Sequence, residues 1–276
     1  MLPARHLIFT DLDGTLLDHH TYSWEAAKEA LAEIKRRRVP LIFVTSKTRA
    51  ELEVLRRKLD NVHPFVTENG GGIFIPHGYF LLRVEGTEKV GPYHCRALAR
   101  PYQEAVAALE ELAAEARVGV VGFHQMSVRE IAQNTGLSMR QAELARRREF
   151  DEPFFFTSVS EQDTERFVRA ARRRGMEVTR GGRFWHLATG GDKGGAVRYL
   201  TKLYDRTAHR RLRSVGLGDS LNDLSLLAAV DQAVLLPQPD GSFNREVLAR
   251  LTRFRRGIAP GPPGWNQAVL QFLRTA

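Results

Sequence analysis

The chain of 276 residues is poor in cysteine, in lysine and in long hydrophobic runs. Its single cysteine, Cys95, excludes an internal disulfide and any metal cluster built from several cysteines. No run reaches the ~18 apolar residues that span a bilayer. The amino terminus enters the apolar segment HLIFT without a charged leader and cleavage site. These absences predict a cytoplasmic protein that has no membrane partner.

The charge of the chain is basic, +9 at pH 7, and it comes from 34 arginines and 7 lysines. Such an excess could serve nucleic-acid binding. However, the arginine runs 36–38, 146–148 and 172–174 each close a predicted helix, where cations face the negative end of the helix dipole and stay in solvent. No aromatic stripe that would stack on bases accompanies these runs. We therefore expect no nucleic-acid partner.

The hydrophobic pattern of residues 1–75 is typical of a parallel α/β sheet. Strands are predicted at HLIFTD and VPLIFVTS with a helix between them, and a capping box from Thr48 to Glu51 opens a second helix. The same alternation of strands and helices returns from GGDKGGA onward. We predict an α/β core domain formed by residues 1–84 and 189–276.

The pattern changes over residues 85–188, between the two parts of the core. This segment begins with a predicted loop around Gly91 and continues with a helix near 101–116 and several short strands. Capping boxes at Ser127 and Ser138 start two short helices. The mixture predicts an inserted α+β domain.

Two acidic motifs follow predicted strands of the core. DLDGT places Asp11 and Asp13 on the same side of a strand end, because alternate strand residues share a side. GLGDSLND places Asp219 and Asp223 between another strand and a helix. Open α/β sheets bind ligands at the carboxyl ends of their strands. Two alternatives stay open for single residues, since Asp-Gly is an ordinary turn and Asp223 could cap a helix.

If the four carboxylates converge, each disfavours ionisation of its neighbours, and a divalent cation would relieve this repulsion. A few carboxylate and carbonyl oxygens that leave room for water and phosphate form the ligand set that Mg²⁺ prefers. Thr45 and Ser46 end the second strand with hydroxyl and N–H donors, and Lys193 stands at a predicted helix start. These three could bind phosphate, although a Thr-Ser pair is commonly a helix cap and a lysine commonly a surface charge.

The motifs DLDGT, VTS, DKG and GDSLND, in this order, resemble those of the haloacid dehalogenase superfamily of phosphohydrolases. The segment 85–188 lies between the second and third motifs, where members with an α/β cap of type C2 carry that domain. The resemblance implies a Rossmann-like parallel-sheet core with an inserted α+β cap. Within the superfamily, VTSKT, ENGGGIFIP and GFHQMSVREIAQNTGLS are similar to the mannosyl-3-phosphoglycerate phosphatases.

The resemblance also implies a role for each motif residue. Asp11 would be the nucleophile and form an aspartyl-phosphate, and Asp13 would be the general acid and base. Mg²⁺ would be held by the Asp11 carboxylate, the Asp13 main-chain carbonyl and Asp219. The residues that would surround the metal ligands or bind the phosphate are Asn222 and Asp223, and Thr45, Ser46 and Lys193, respectively.

Substrate choice would belong to the cap, which would close over the site. A phosphorylated sugar-glycerate carries a carboxylate besides its phosphate, so basic or amide groups are expected near it. The cap candidates, each of which could equally be a surface or packing residue, are Gln125, Met126, Ser138, Arg183 and His186.

The predicted function is Mg²⁺-dependent hydrolysis of mannosyl-3-phosphoglycerate to mannosylglycerate, a compatible solute, and phosphate. A phosphatase of glucosyl-3-phosphoglycerate or of another sugar phosphate is the main alternative, and a phosphomutase would use the same motifs. An RNA-binding protein on a phosphatase fold would have no need of the complete acidic set. The sequence leaves open whether the chain forms a homo-oligomer.

Overall fold

The computed structural model describes residues 5–157, 159–181 and 184–274. A five-stranded parallel sheet forms its centre. In spatial order the strands are β13 (Arg255–Arg256), β12 (Gln232–Leu235), β11 (Arg213–Gly218), β1 (His6–Thr10) and β2 (Leu41–Phe43). The inner strands are buried on both faces, which explains why they read as continuous apolar runs in the sequence.

Helices cover both faces of this sheet. They are α1 (Lys28–Arg37), α2 (Arg49–Lys58), α7 (Lys193–Ala208), α8 (Leu224–Ala228), α9 (Arg245–Arg250) and α10 (Gly261–Arg274). Alternate residues of β1 point to opposite layers: Ile8 packs in the cluster of α1 and α10, whereas Leu7 and Phe9 pack in the cluster of α7 and α8. None of the described helices is long and apolar enough to cross a membrane.

An antiparallel sheet continues the central sheet beyond β2, joined to it by a parallel bridge between Val44 and Val66. In spatial order its strands are β3 (Phe65–Thr67), β4 (Gly72–Pro76), β6 (Tyr93–Ala97) and β5 (Glu88–Val90). A short 3₁₀ helix, Glu68–Gly70, connects β3 to β4.

The predicted loop around Gly91 is wrong, because Gly91 and Pro92 are instead the two-residue turn between β5 and β6. Gly91 has a φ of +55°, a left-handed conformation that suits a tight hairpin turn. The exposed strand β5 offers almost no hydrophobic pattern from which to predict it. Both strands follow residue 84, yet they share a sheet with β4, so the pairing crosses the predicted domain boundary. The division into core and cap stays a prediction.

A third sheet lies within the predicted insertion and is antiparallel. In spatial order its strands are β7 (Val120–Gly122), β8 (Asp151–Phe156), β10 (Phe184–Ala188) and β9 (Glu177–Gly181). Its helices are α3 (Tyr102–Ala116), α4 (Val128–Thr135), α5 (Met139–Ala145) and α6 (Glu161–Arg173). Side chains of α3 and α6 share one apolar cluster with this sheet, and those of α4 and α5 share another.

The predicted fold class, a parallel-sheet core with an α+β insertion, is confirmed. The capping boxes predicted at Thr48, Ser127 and Ser138 are present, each with the hydroxyl accepting from the backbone N–H three residues later. These local signals were readable because a capping box needs only a four-residue stretch of chain.

Candidate active site

Asp11 follows β1 directly, at the carboxyl edge of the central sheet. Its backbone N–H donates to the Leu217 carbonyl of β11 at 2.9 Å, so the sheet pairing fixes its position. The Trp265 indole N–H of α10 donates to the Thr10 hydroxyl at 2.9 Å, and that hydroxyl donates to the Asp11 carbonyl at 2.6 Å. Asp11 is buried, and these hydrogen bonds fix its main chain at the edge of the sheet.

Lys193, the first residue of α7, brings a buried ammonium to Asp11. Its Nζ lies 2.7 Å from Asp11 Oδ1 and 2.6 Å from Asp223 Oδ1. Burial lowers the pKa of Lys193, but the charges of Asp11 and Asp223 outweigh burial and raise it. Lys193 is thus a buried cation between two carboxylates and not a solvated surface lysine.

Asp219 and Asp223 complete an acidic cluster with Asp11, whose ligand atoms all lie within 4.8 Å of one another. Asp223 Oδ2 accepts from the N–H groups of Asp219 and Ser220, both at 3.1 Å, so Asp223 caps its loop and faces Lys193 at once. Gly14 has a φ of +73°, and a Cβ there would lie 2.8 Å from Asp219 Oδ2. Glycine therefore both makes the turn of DLDGT and leaves room for the Asp219 carboxylate.

The electrostatics of this cluster fit a divalent cation. Burial and the charge of Asp223 raise the pKa of Asp11 to about 7, against the opposing effect of Lys193. Burial, Asp223 and Asp11 raise the pKa of Asp219 well above its usual range. The single positive charge of Lys193 cannot balance three buried carboxylates. A divalent cation that prefers oxygen ligands, such as Mg²⁺, would relieve this excess of negative charge.

Asp13 is not a member of this cluster and forms an ion pair of its own. Its Oδ2 lies 2.8 Å from the Nζ of Lys47, a residue that the sequence reasoning missed. Burial lowers the pKa of Lys47, but Asp13 and Glu51 outweigh burial and raise it. The other carboxylate oxygen, Oδ1 of Asp13, is buried and makes no hydrogen bond to the described residues. Asp13 therefore has one oxygen paired with Lys47 and one that accepts no hydrogen bond from the described residues.

Thr45 and Ser46 lie at the end of β2, next to Asp11, because the Val44 N–H donates to the Thr10 carbonyl at 2.8 Å. They do not cap α2, since its N-cap is Thr48. The Thr45 hydroxyl accepts from the Lys47 N–H at 3.3 Å. Both residues thus lie at the edge of the sheet where the carboxylates lie, and Thr45 is buried there.

Arg148 corrects the interpretation of the run 146–148 as solvated charge, because its side chain is only 3% exposed. Its guanidinium forms an ion pair with Asp151, lies 3.4 Å from Glu68 and donates to the Ser46 carbonyl at 3.2 Å. It joins the predicted cap to the loop after β2. A run of three arginines gives no signal as to which member turns inward.

Glu68 and Asn69 extend this contact between the two parts of the chain. The Glu68 carboxylate accepts the backbone N–H groups of residues 149–151 at 2.8 to 3.1 Å, and burial raises its pKa to about 7. Asn69 donates to Asp151 Oδ2 at 2.9 Å and accepts from Asn222 Nδ2 at 3.2 Å. Hydrogen bonds thus connect the GDSLND loop to the insertion.

The cap candidates occupy different environments. Met126 is buried in the apolar cluster of α4 and α5, Ser138 is the exposed N-cap of α5, and the Gln125 side chain accepts from the Gly122 N–H at 3.1 Å. Gln125 and Ser138 thus make hydrogen bonds within their own turns, and Met126 is a packing residue of the insertion. Arg183 lies outside the described residues.

His186 is the cap candidate that the structure brings into the charged network. It is buried, and its Nδ1 lies 3.0 Å from Asp151 Oδ2. Burial and the charges of Arg148 and Lys193 lower the pKa of His186 to about 3, so the imidazole is neutral at pH 7.

Comparison with known proteins identifies the chain. A sequence profile of the haloacid dehalogenase-like hydrolases matches residues 8–87. The glucosyl-3-phosphoglycerate/mannosyl-3-phosphoglycerate phosphatase of Methanococcoides burtonii is 40% identical over 269 residues, which are 98% of this chain and 97% of that protein. The chain belongs to the haloacid dehalogenase-like hydrolases.

Two further comparisons agree, the first with the family and the second with the fold. The enzyme of the same name from Persephonella marina is 37% identical over 270 residues, covering 97% of each chain. The solved structure of a subclass IIB sugar phosphatase of the superfamily has a TM-score of 0.64 at 20% identity and covers 97% of this chain and 98% of its own. The predicted class of enzyme, a phosphoric monoester hydrolase, is confirmed.

Replacing Arg148 in this hydrolase by methionine should destabilise the protein by about 3–5 kcal/mol, because Glu68 and Asp151 would stay buried without their cation. Urea unfolding measures the loss. The matched control is Arg146→Met, an exposed arginine of the same run, for which we expect a change within about 0.5 kcal/mol. Equal stability of the two variants would contradict the assignment of Arg148 as a buried ion-pair partner.

Proposed function

We propose that this phosphatase hydrolyses mannosyl-3-phosphoglycerate to mannosylglycerate and phosphate, with the glucosyl ester as the alternative substrate. The names of the two relatives support the substrate class. The observation that supports the chemistry is that two carboxylates at one edge of the sheet pair with different lysines. Asp11 contacts the buried ammonium of Lys193, and Asp13 contacts Lys47.

In the first step, an Asp11 oxygen attacks phosphorus and the bond from phosphorus to the glycerate oxygen breaks, which forms an aspartyl-phosphate. Asp13 gives its proton to the leaving oxygen. In the second step, Asp13 takes a proton from water, the water oxygen attacks phosphorus, and Asp11 is released with phosphate. Lys193, Thr45 and Ser46 supply a charge and polar donors for the transferring oxygens.

The Asp11 carboxylate, the Asp13 main-chain carbonyl and Asp219 would hold Mg²⁺, with Asn222 and Asp223 around them. When bound, Mg²⁺ supplies positive charge that offsets the phosphate oxygens and the carboxylates. The three buried carboxylates of Asp11, Asp219 and Asp223 support this proposal, because their combined negative charge exceeds the positive charge of Lys193.

A panel of phosphate esters tests the proposed function. We expect the highest kcat/KM for mannosyl- or glucosyl-3-phosphoglycerate and a smaller value for 3-phosphoglycerate and simple sugar phosphates, all measured as free phosphate. Chelation with EDTA should abolish release, and added Mg²⁺ should restore it. Faster hydrolysis of a simple sugar phosphate would reject the substrate. Isomerised sugar phosphate without free phosphate would indicate a mutase, and salt-sensitive RNA binding without phosphate release would indicate a binding protein.

A further inference from the structure

His186 lies on β10, between Pro153 of β8 and Thr179 of β9 in the sheet of the insertion. It is 92% buried, since only 8% of its surface is exposed. The proposed mechanism gives this imidazole no task. Its partner Asp151 is fully buried and contacts both Arg148 and Asn69.

The contacts of Asp151 decide which ring nitrogen of His186 carries the proton. Asp151 is paired with the Arg148 guanidinium, and its Oδ2 accepts from Asn69 at 2.9 Å. A carboxylate only accepts hydrogen bonds, so Nδ1 of His186, 3.0 Å from Oδ2, is the donor. In a neutral imidazole the proton on Nδ1 leaves Nε2 as an acceptor.

Nε2 of His186 faces Gly181, and Gly181 also lies close to Asn222 of the GDSLND loop. A Cβ on Gly181 of β9 would lie 3.5 Å from Nε2 and 3.8 Å from Nδ2 of Asn222. Gly181 therefore stands between the imidazole and the GDSLND loop, which carries Asp219. Glycine at position 181 puts no side chain beside Nε2, whereas a Cβ there would contact this nitrogen. Among the described residues, the His186 ring hydrogen-bonds through Nδ1 to Asp151, and Nε2 makes no hydrogen bond.

We propose that His186 is a specificity residue whose Nε2 accepts a hydrogen bond from a hydroxyl group of the substrate's sugar. This inference rests on the proposed function, because it requires a sugar phosphate substrate. It also implies that Nε2 does not bind the carboxylate of the substrate, because an acceptor nitrogen has no hydrogen to donate to a carboxylate. His186 thus reads the sugar and not the acid group.

Two amide variants distinguish the roles of the two ring nitrogens of His186. In His186→Asn the amide replaces Nδ1 and keeps a donor for Asp151, whereas in His186→Gln the amide replaces Nε2. We expect H186N to lower kcat/KM for the glycosyl ester about tenfold relative to 4-nitrophenyl phosphate, mainly through KM, because one hydrogen bond is lost. H186Q should recover most of this ratio. The matched control is His77→Asn, an exposed histidine, which should leave the ratio at the wild-type value.

Esters that lack one sugar hydroxyl complete the test. One of these deoxy esters should be a poorer substrate by about tenfold for the wild-type enzyme, yet carry no further penalty in H186N. Gly181→Ala, which puts a methyl group beside Nε2, should raise KM for the glycosyl ester even if H186N folds poorly. Equal penalties for every deoxy ester in wild type and H186N, or equal ratios in H186N and H186Q, would overturn the proposal.

A failure of the proposed function is distinguishable from this result. If the wild-type enzyme releases no phosphate from either glycosyl phosphoglycerate, the proposed substrate is wrong. The same comparison is then made with the sugar phosphate that the panel identifies, and a hydroxyl-specific loss in H186N would still support the role of His186.

Discussion

Asp11→Asn should lower phosphate release on the order of 10⁴-fold or more, because it removes the attacking oxygen charge on which covalent catalysis depends. The substitution keeps the shape of the side chain. It also keeps Oδ1, which accepts from Lys193 at 2.7 Å in the wild-type chain. The loss should therefore appear in kcat, and the fold should persist.

The measurement for Asp11 is phosphate release by a variant verified by mass spectrometry, with urea unfolding to establish the fold. Asp60→Asn is the matched control, because Asp60 is an exposed aspartate in a surface pair with Lys35. It should leave kcat/KM unchanged. Full turnover by D11N would reject Asp11 as the nucleophile, and so would a phosphorylated variant enzyme that carries its phosphate on another residue.

Asp13→Asn should slow hydrolysis of the glycosyl ester about 10²–10⁴-fold, the usual contribution of a positioned general acid and base. The loss should be smaller for 4-nitrophenyl phosphate, because 4-nitrophenolate leaves without a proton. The amide oxygen can still contact Lys47, which lies 2.8 Å from Oδ2 of Asp13. The main-chain carbonyl of Asp13 is unchanged, so Mg²⁺ should still bind.

Comparison of the two substrates distinguishes acid catalysis from a structural effect of D13N. Isothermal titration with Mg²⁺ provides the control, with an expected affinity close to that of wild type. Equal losses on the two esters together with weaker Mg²⁺ binding would mean that Asp13 acts through the metal site. Unchanged activity on the glycosyl ester would remove Asp13 from the mechanism.

The core of the candidate site could be predicted from the sequence because its geometry follows from the sheet. Asp11 and Asp219 each follow a buried strand, and β1 and β11 are neighbours in parallel register. Two residues that follow neighbouring parallel strands must meet at the same edge. Lys193 joins them because α7 begins at that edge, as the DKG motif at a predicted helix start indicates.

The connections between core and insertion could not be predicted, because they join residues far apart in the chain. Arg148 reads like Arg146 and Arg147 in the sequence, and only the contacts with Glu68 and Asp151 explain its burial. Glu68 and Asn69 have φ values of +49° and +57°, a conformation that the surrounding ENGGG sequence did not reveal. The burial of Arg148 and the backbone conformations of Glu68 and Asn69 therefore depend on tertiary contacts and not on the local sequence.

If residues 85–188 form the predicted cap, the Glu68 carboxylate provides a natural reporter of its docking. It accepts the amide protons of Glu149, Phe150 and Asp151, so one acidic side chain from the core protects three consecutive amides of the insertion. If the insertion swings away to admit substrate, those three protons become open to exchange with solvent together. Hydrogen–deuterium exchange of this one peptide would then measure how often the enzyme opens, without any label or bound ligand.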